Sequence, residues 1–202
     1  MQEKLRMNLP QLTIIVPTFN EVQNIDIVVK KLEETLSSLD FEIIFVDDNS
    51  DDGTADAVRN LEEQKPFVSL LLRVGRRGLA GACIEGMIAA KSSLVAVMDC
   101  DLQHDETKLL EMFSKFKHDQ SLDLVVGSRH ADEGQANGGL SLVRQIGSKS
   151  AIWLTQKTLN IEVKDPMSGF FMIKKSSVMP LMNKLQPNGF KILADIIASS
   201  RG

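Results

Sequence analysis

The sequence predicts an α/β fold, in which a mainly parallel central sheet is flanked by helices on both faces. Two observations predict it. Short apolar segments alternate with amphipathic helical patterns over the first 130 residues, and polar clusters directly follow several of the apolar segments. The chain has 202 residues, of which 43% are hydrophobic and 25% charged, so we expect a single domain with one sizeable core.

The predicted strands are short runs of apolar and β-branched residues, which is typical of strands buried in a sheet. In chain order they are Leu12–Val16, Glu42–Val46, Val68–Leu72, Leu94–Met98, Asp123–Gly127 and Gly169–Ile173. The predicted helices repeat apolar residues every three or four positions. They cover residues 21–38, 54–64, 79–91, 106–118, 141–158 and 176–185. The second helix begins after Asp51-Asp52-Gly53-Thr54, a good capping sequence. Residues 131–139 are too polar and glycine-rich to pack, which predicts a loop.

Polar clusters follow four of the predicted strands, at the point where each strand ends. They are residues 17–21 after the first strand, 47–50 after the second, 99–101 after the fourth and 128–129 after the fifth. Open α/β sheets bind ligands at the carboxyl ends of their parallel strands. The sequence therefore predicts a ligand site along this edge of the sheet.

The stretch VMDCDLQH predicts a metal site. On an extended chain Asp99, Asp101 and Gln103 point the same way, and three oxygen-bearing side chains suit a hard cation such as Mg²⁺ or Mn²⁺. A helix beginning with acids would explain Asp105-Glu106 but not two adjacent carboxylates at a strand end. A lone histidine such as His104 favours a surface or supporting position over that of a ligand.

Several other classes of protein are excluded by charge and spacing. The net charge is −4, so bulk attraction to nucleic acid is not expected. Residues 75–81 have neither the P-loop nor the dinucleotide-binding spacing, and a calcium loop starting at Asp48 would place Arg59 where a glutamate is required. Cys83 and Cys100 are too few for a disulfide scaffold. No apolar run is long enough to span a bilayer, and we expect a cytoplasmic protein.

Six ordered motifs resemble those of glycosyltransferase family 2, which has the GT-A (Rossmann-like) fold. They are IIVPTFNE, FVDDNSDDGT, GLAGACIEGM, VMDCDLQH, VVGSR and KDPMSGFFMIKK, and the resemblance extends from about Leu12 to Leu193. Within the family they are most similar to the dolichol- or polyprenol-phosphate mannose synthases and their bacterial relatives. The resemblance implies that residues about 10–104 bind the nucleotide and residues about 105–202 bind the acceptor, within one domain spanning 1–202.

The resemblance also implies roles for individual residues. The residues matching the nucleotide-binding positions are Pro17, Phe19, Asn20, Glu21, Val46, Asp48, Asp99, Asp101 and Gln103. The metal-binding positions match Asp99, Asp101 and Gln103, and the positions that contact the acceptor phosphate match Arg129, Arg144 and Ser148. Asp101 and Arg129 are the expected catalytic residues.

The activity implied by the resemblance is a metal-dependent, inverting transfer of a hexose to a polyprenyl or dolichyl phosphate. The first choice of donor is GDP-mannose, and UDP-glucose or another UDP-sugar is the alternative. A phosphate monoester has a second pKa of about 6 and is already an anionic nucleophile at neutral pH, so no general base is needed. Asp165 is the single candidate base, and a structural turn before Pro166 explains it better. Transfer to a sugar hydroxyl and a non-catalytic nucleotide-binding relative remain alternatives.

The second half of the chain predicts contact with a membrane surface. Residues 140–191 carry eight Lys or Arg and two acids, although a solvated helix face explains this equally well. The predicted helix 141–158 holds Arg144 and the only tryptophan, Trp153, for which a core position is the alternative. We therefore expect peripheral attachment at the inner face of the membrane. Because relatives continue with another strand, we also expect this chain to be part of a longer protein.

Overall fold

A computed structural model describes residues 9–127 and 168–200. In these residues six strands form one sheet, in the order β3-β2-β1-β4-β6-β5. The strands are β1 Leu12–Thr18, β2 Phe41–Asp47, β3 Val68–Leu72, β4 Leu94–Val97, β5 Leu124–Val126 and β6 Phe171–Lys174. The helices are α1 Val22–Thr35, α2 Thr54–Gln64, α3 Leu79–Ala89, α4 Lys108–His118, α5 Lys175–Val178 and α6 Ile192–Ser199. A 3₁₀ helix covers Met179–Lys184.

The sheet is parallel through β3, β2, β1 and β4, as the alternation of strands and helices predicts. The last strand, β6, runs antiparallel between β4 and β5. Its residue Phe171 lies opposite Val97 of β4 and Val126 of β5. The mainly parallel sheet is thus confirmed, with an antiparallel insertion that the sequence pattern did not indicate.

The apolar core lies on both faces of the sheet, because successive residues of a strand point to opposite sides. On one face Ile14 of β1 packs with residues of α1, α2 and α4, whereas on the other Ile15 packs with residues of α3 and α6. Every residue of β1 is buried. A strand that is buried on both faces is typical of the centre of a parallel sheet.

Helix α2 begins directly after the predicted sequence 51–53, but its N-cap residue is Gly53 and it has no side-chain capping bond. The helix begins at Thr54, whose backbone N–H donates to Asp52 Oδ1 at 2.9 Å. Gly53 precedes it with φ of 97°, a left-handed conformation that glycine adopts without steric cost. This turn brings residues 47–53 back over the carboxyl edge of the sheet.

The prediction of one helix over 176–185 is wrong. The α-helical part is the single turn of α5, and the chain continues as the 3₁₀ helix Met179–Lys184. Pro180 accounts for the change, because proline has no N–H to donate within an α-helix. The predicted helix 141–158 lies outside the described residues. None of the described helices is both long and apolar enough to span a bilayer.

Candidate functional site

The turns at the carboxyl edge of the sheet hold residues with unusual backbone conformations. In the described residues, the non-glycine residues with positive φ are Asn20 at 59°, Asn49 at 57° and Leu102 at 58°. Each lies in the turn that follows a parallel strand: Asn20 after β1, Asn49 after β2 and Leu102 after β4. Such conformations cost of order 1–3 kcal/mol each and cluster at functional sites.

A cleft of about 280 Å³ opens at this edge, between the turns that follow β1, β2 and β4. Its lining residues are Pro17, Thr18, Phe19, Glu21, Asp48, Leu79, Ala82, Asp99, Cys100 and Asp101. Six of these ten are residues that the sequence assigns to the nucleotide. The structure therefore brings the motifs that follow three separate strands together around one cavity.

The other three predicted nucleotide residues are not among those that line the cleft. Val46 is fully buried in β2, and its side chain belongs to the core between the sheet and α3. Asn20 joins two of the turns, because its N–H donates to Ser50 Oγ at 2.8 Å and its Oδ1 accepts from the N–H of Asp51 at 3.3 Å. Gln103 is exposed. The roles of these residues toward a nucleotide stay predictions.

The two adjacent acids after β2 have different surroundings. Asp47 is completely buried and holds two turns together. It accepts hydrogen bonds from Thr18 Oγ1 at 3.1 Å and from Ser50 Oγ at 2.6 Å. Asp48 lines the cleft instead, and its Oδ2 accepts the N–H of Gly78 at 2.7 Å. Asp48 is therefore the acid of this pair that a ligand in the cleft can reach.

Arg73, which the sequence did not indicate as a site residue, forms an ion pair with Asp48. It follows β3 and is 3% exposed. Its Nη1 donates to Asp48 Oδ1 and, at 3.2 Å, to the carbonyl of Gly78, while its Nε donates to Glu85 Oε1 at 3.1 Å. The Arg73 guanidinium also packs closely against Gly81, since a Cβ built on that glycine would lie 2.4 Å from Arg73 Nη2. The available signal was an arginine directly after the predicted strand Val68–Leu72.

A second arginine flanks the cleft. The guanidinium carbon of Arg77 lies 4.5 Å from the centroid of the Phe19 ring, a cation–π contact. Phe19 is 44% exposed and lines the cleft, and the Arg77 guanidinium lies over its ring. Aromatic and guanidinium planes of this kind suit a planar, anionic ligand.

The two acids after β4 both line the cleft, but the extended chain predicted through Gln103 is wrong. Strand β4 ends at Val97, and the left-handed residue Leu102 turns the chain. Strand alternation therefore does not extend from Asp101 to Gln103. The N–H of Gln103 instead donates to Asp101 Oδ1 at 3.0 Å. The metal role of the Gln103 side chain stays a prediction.

The donor set of the cleft fits a hard divalent cation. Within residues 9–127 and 168–200, no three His, Cys, Asp or Glu side chains are grouped so as to hold a metal by themselves. Asp99 and Asp101 nevertheless present carboxylates to one cavity. Mg²⁺ in particular is commonly bound through one or two carboxylates together with phosphate oxygens of the substrate. Two acids that line one cleft match that arrangement.

Cys100 lies between these acids in the sequence, and its side chain packs in the hydrophobic core. It is 2% exposed and packs in the cluster beneath α1 and α4. Burial raises the pKa of its thiol to about 12, with the charges of Glu21 and Asp101 adding to the effect. A thiol that stays protonated is a poor nucleophile and a poor metal ligand.

The structure does not describe the residues predicted to bind the acceptor. Arg129, Arg144 and Ser148 lie outside the described residues, as do Trp153 and Asp165. Their roles stay predictions. The division into a nucleotide part at 10–104 and an acceptor part at 105–202 is likewise a prediction.

The chain matches the family model described as "Glycosyl transferase family 2" over residues 13–181. It belongs to glycosyl transferase family 2. The family match covers every motif of the cleft and confirms the resemblance seen in the sequence. Among curated proteins, a dolichol-phosphate mannosyltransferase of Pyrococcus furiosus is 32% identical over 193 residues. That alignment covers 95% of this chain and 53% of the relative, so the chain spans about half the length of that relative.

Solved structures confirm the GT-A fold. A mannosyltransferase of Pyrobaculum calidifontis, solved in complex with GDP-Man and Mn²⁺, is 27% identical with a TM-score of 0.52. The match covers 63% of this chain and 38% of that one. A mannosyl-3-phosphoglycerate synthase of Rubrobacter xylanophilus has a TM-score of 0.64 at 14% identity and covers 84% of this chain and 55% of its own, which supports the fold alone.

Proposed function

We propose that this chain is the catalytic part of a metal-dependent glycosyltransferase that moves a hexose from a nucleotide sugar to a polyprenyl or dolichyl phosphate. One observation carries the proposal. Asp99 and Asp101 share a cleft with Phe19 and Asp48 in a chain that is 32% identical to a dolichol-phosphate mannosyltransferase. We take GDP-mannose as the donor, since the similar structure of the Pyrobaculum mannosyltransferase contains GDP-Man and Mn²⁺.

The donor side of the reaction uses the acids that line the cleft. Asp99 and Asp101 would hold Mg²⁺ or Mn²⁺, which when bound supplies positive charge to the diphosphate leaving group. Asp48, kept in place by Arg73 and Gly78, would accept hydrogen bonds from the nucleoside. These contacts orient the donor so that the anomeric carbon faces the acceptor.

The acceptor side needs an anion rather than a proton acceptor. The phosphate oxygen of the lipid attacks the anomeric carbon from the face opposite the departing diphosphate, which inverts the configuration. Arg129, Arg144 and Ser148 would hold that phosphate, because a guanidinium binds it with two charge-assisted hydrogen bonds. No proton has to be removed when the attacking oxygen is already ionised.

The carboxylates of the cleft favour this acceptor over a sugar hydroxyl. Each described one already accepts a hydrogen bond from the fold. The donors are Asn24 Nδ2 to Glu21 (2.6 Å), Gly78 N to Asp48 (2.7 Å), His104 Nε2 to Asp99 (3.1 Å) and Gln103 N to Asp101 (3.0 Å). A hydroxyl acceptor requires a carboxylate that faces it as a general base. The proposed function assigns Asp99 and Asp101 to the cation and the other two acids to the nucleotide, which leaves none of the four as the base and supports the phosphate acceptor.

A lipid-linked acceptor implies that the transfer takes place at a membrane surface. We propose peripheral attachment at the cytoplasmic face, for which the excess of basic residues over 140–191 is the supporting observation. Binding of the chain to liposomes with and without anionic lipid, measured by sedimentation, tests the attachment. Equal binding to neutral and anionic vesicles would contradict the electrostatic part of the proposal.

A transfer assay tests the reaction and the donor together. The chain is incubated with Mn²⁺, polyprenyl phosphate and labelled GDP-mannose or UDP-glucose, and label that moves into the organic phase is counted. We expect GDP-mannose to be the better donor and Asp101→Asn to be inactive. Asp105→Asn is the matched control, since Asp105 is an exposed acid of the same segment that accepts the N–H of Thr107. Transfer that persists in Asp101→Asn, or that requires no divalent cation, would contradict the proposal.

A further inference from the structure

The carboxylate of Asp99 is fixed by a histidine that lies five positions later in the chain. His104 Nε2 lies 3.1 Å from Asp99 Oδ2. An ionised carboxylate only accepts hydrogen bonds, so Nε2–H is the donor. The two side chains differ in exposure, 3% for His104 and 29% for Asp99. The histidine is thus buried behind a carboxylate that faces the cleft.

The imidazole is itself held in one orientation. Its ring stacks on Phe170, with the ring centroids 5.0 Å apart and the planes at 28°. Phe170 is buried, and its N–H donates to Ser168 Oγ at 3.1 Å. The left-handed turn at Leu102 directs the chain back, so that His104 reaches Asp99. Phe170, just before β6, therefore fixes the ring of His104, which in turn donates to Asp99.

Gly169 closes the other side of the carboxylate. A Cβ built on Gly169 would lie 2.3 Å from Asp99 Oδ2 and 2.8 Å from its Oδ1. Any side chain at this position would displace the Asp99 carboxylate or the backbone of 168–170. The absence of a side chain at Gly169 is what allows the acid to lie where His104 can reach it.

We propose that His104 and Gly169 are positioning residues that hold Asp99 in the geometry needed for the divalent cation and the donor diphosphate. The proposal rests on the proposed function, because it takes Asp99 as part of the metal site. Groups that hydrogen-bond to a ligating side chain fix its orientation, and their loss commonly lowers metal affinity 10–100-fold. His104 would act through Asp99, since Asp99 lines the cleft and His104 is not among its lining residues.

Titration of Mn²⁺ in the presence of GDP, followed by the electron paramagnetic resonance signal of free Mn²⁺, tests the proposal. His104→Ala should raise the Kd for Mn²⁺ about 10–100-fold. His104→Gln should recover most of the affinity, since its amide N–H can donate to Asp99. His118→Ala is the matched control, because His118 is exposed and its Nδ1 lies 2.7 Å from the Ser114 carbonyl of its own helix.

A double variant separates positioning from a general effect on folding. In an Asp99→Asn background, His104→Ala should cause no further loss of Mn²⁺ affinity, because the carboxylate that it positions is gone. Gly169→Ala should reduce Mn²⁺ affinity as His104→Ala does. Thermal unfolding without metal is recorded for each variant, so that binding is compared only between folded proteins.

The outcomes distinguish this proposal from the proposed function. Wild-type protein that takes up no Mn²⁺ with GDP would overturn both. Wild-type uptake that His104→Ala leaves unchanged would overturn the positioning role alone, as would an equal loss from His104→Ala with and without Asp99. A loss confined to the protein that contains Asp99, with recovery by His104→Gln, supports it. If His104→Ala fails to fold, the Gly169→Ala titration decides the question, since an unchanged Mn²⁺ affinity in that variant would overturn the positioning of Asp99.

Discussion

Replacing Arg73 with methionine should lower the free energy of unfolding by about 3 kcal/mol, because it removes one partner from a buried ion pair. The side chains of Arg73 and Asp48 are 3% and 9% exposed. Removing one member of such a pair leaves an uncompensated charge and costs about 3–5 kcal/mol. Gly78 N–H still donates to Asp48 Oδ2 at 2.7 Å, so we take the lower end of that range. For a chain of this size the midpoint of thermal unfolding should fall by about 6–12 °C.

Urea unfolding followed by far-ultraviolet circular dichroism measures the effect. Arg59→Met is the matched control, since Arg59 pairs with Asp56 on the surface at 49% and 78% exposure and should cost at most about 1 kcal/mol. The double variant Arg73→Met with Asp48→Asn should lose less free energy of unfolding than the sum of the two single variants. When both charges of the pair are removed, neither one stays buried without its partner. A loss below about 1 kcal/mol in Arg73→Met, or strict additivity in the double variant, would refute the reasoning.

Three further predictions concern the site and its thiols. Asp101→Asn should remove most Mn²⁺-dependent GDP binding, because it deletes a charged ligand oxygen; calorimetry measures this, and wild-type affinity would contradict the metal assignment. Arg129→Ala and Arg144→Ala should each raise KM for polyprenyl phosphate about tenfold or more while GDP affinity is kept, since each would remove the charge-assisted hydrogen bond proposed for that arginine. A collapse of GDP binding would place them at the donor instead. Cys83 and Cys100 should resist a thiol reagent at pH 8, because burial raises both pKa values, that of Cys100 from 9.0 to about 12. Above pH 9 the unfolded chain loses thiol protons that the folded chain keeps, so stability should fall as pH rises, which urea unfolding between pH 8 and 10 would detect.

The sequence predicts the strands of the sheet better than their arrangement. Apolar runs locate all six strands within a few residues, because four of the strands are almost entirely buried and the other two are partly buried. Nothing in the run Phe171–Lys174 indicates that it lies antiparallel between β4 and β5. Its pairing depends on residues far away in the chain, and local propensity carries no information about them.

The candidate site could be predicted where it depends on strand ends and not where it depends on tertiary packing. Asp48, Asp99 and Asp101 reach one cleft because parallel strands end at the same edge. Arg73 was missed, since an arginine after a strand ordinarily lies in solvent and only the fold places a carboxylate above it. Alternation failed at Gln103 because one left-handed residue, Leu102, ends the extended chain.

The position of β6 has a consequence for how the chain acquires its structure. Strand β4 ends at Val97, yet the strand that pairs with its outer side begins at Phe171. During synthesis the parallel strands β1 to β4 can pair while β5 and the open side of β4 still await β6. An unpaired strand edge is a template for intermolecular pairing, and contacts between distant segments form slowly. The nascent protein thus passes through a stage at which its sheet is prone to aggregate. Gly169 and Phe170, which pack against Asp99 and His104, immediately precede β6 and are therefore synthesised only at the end of that stage.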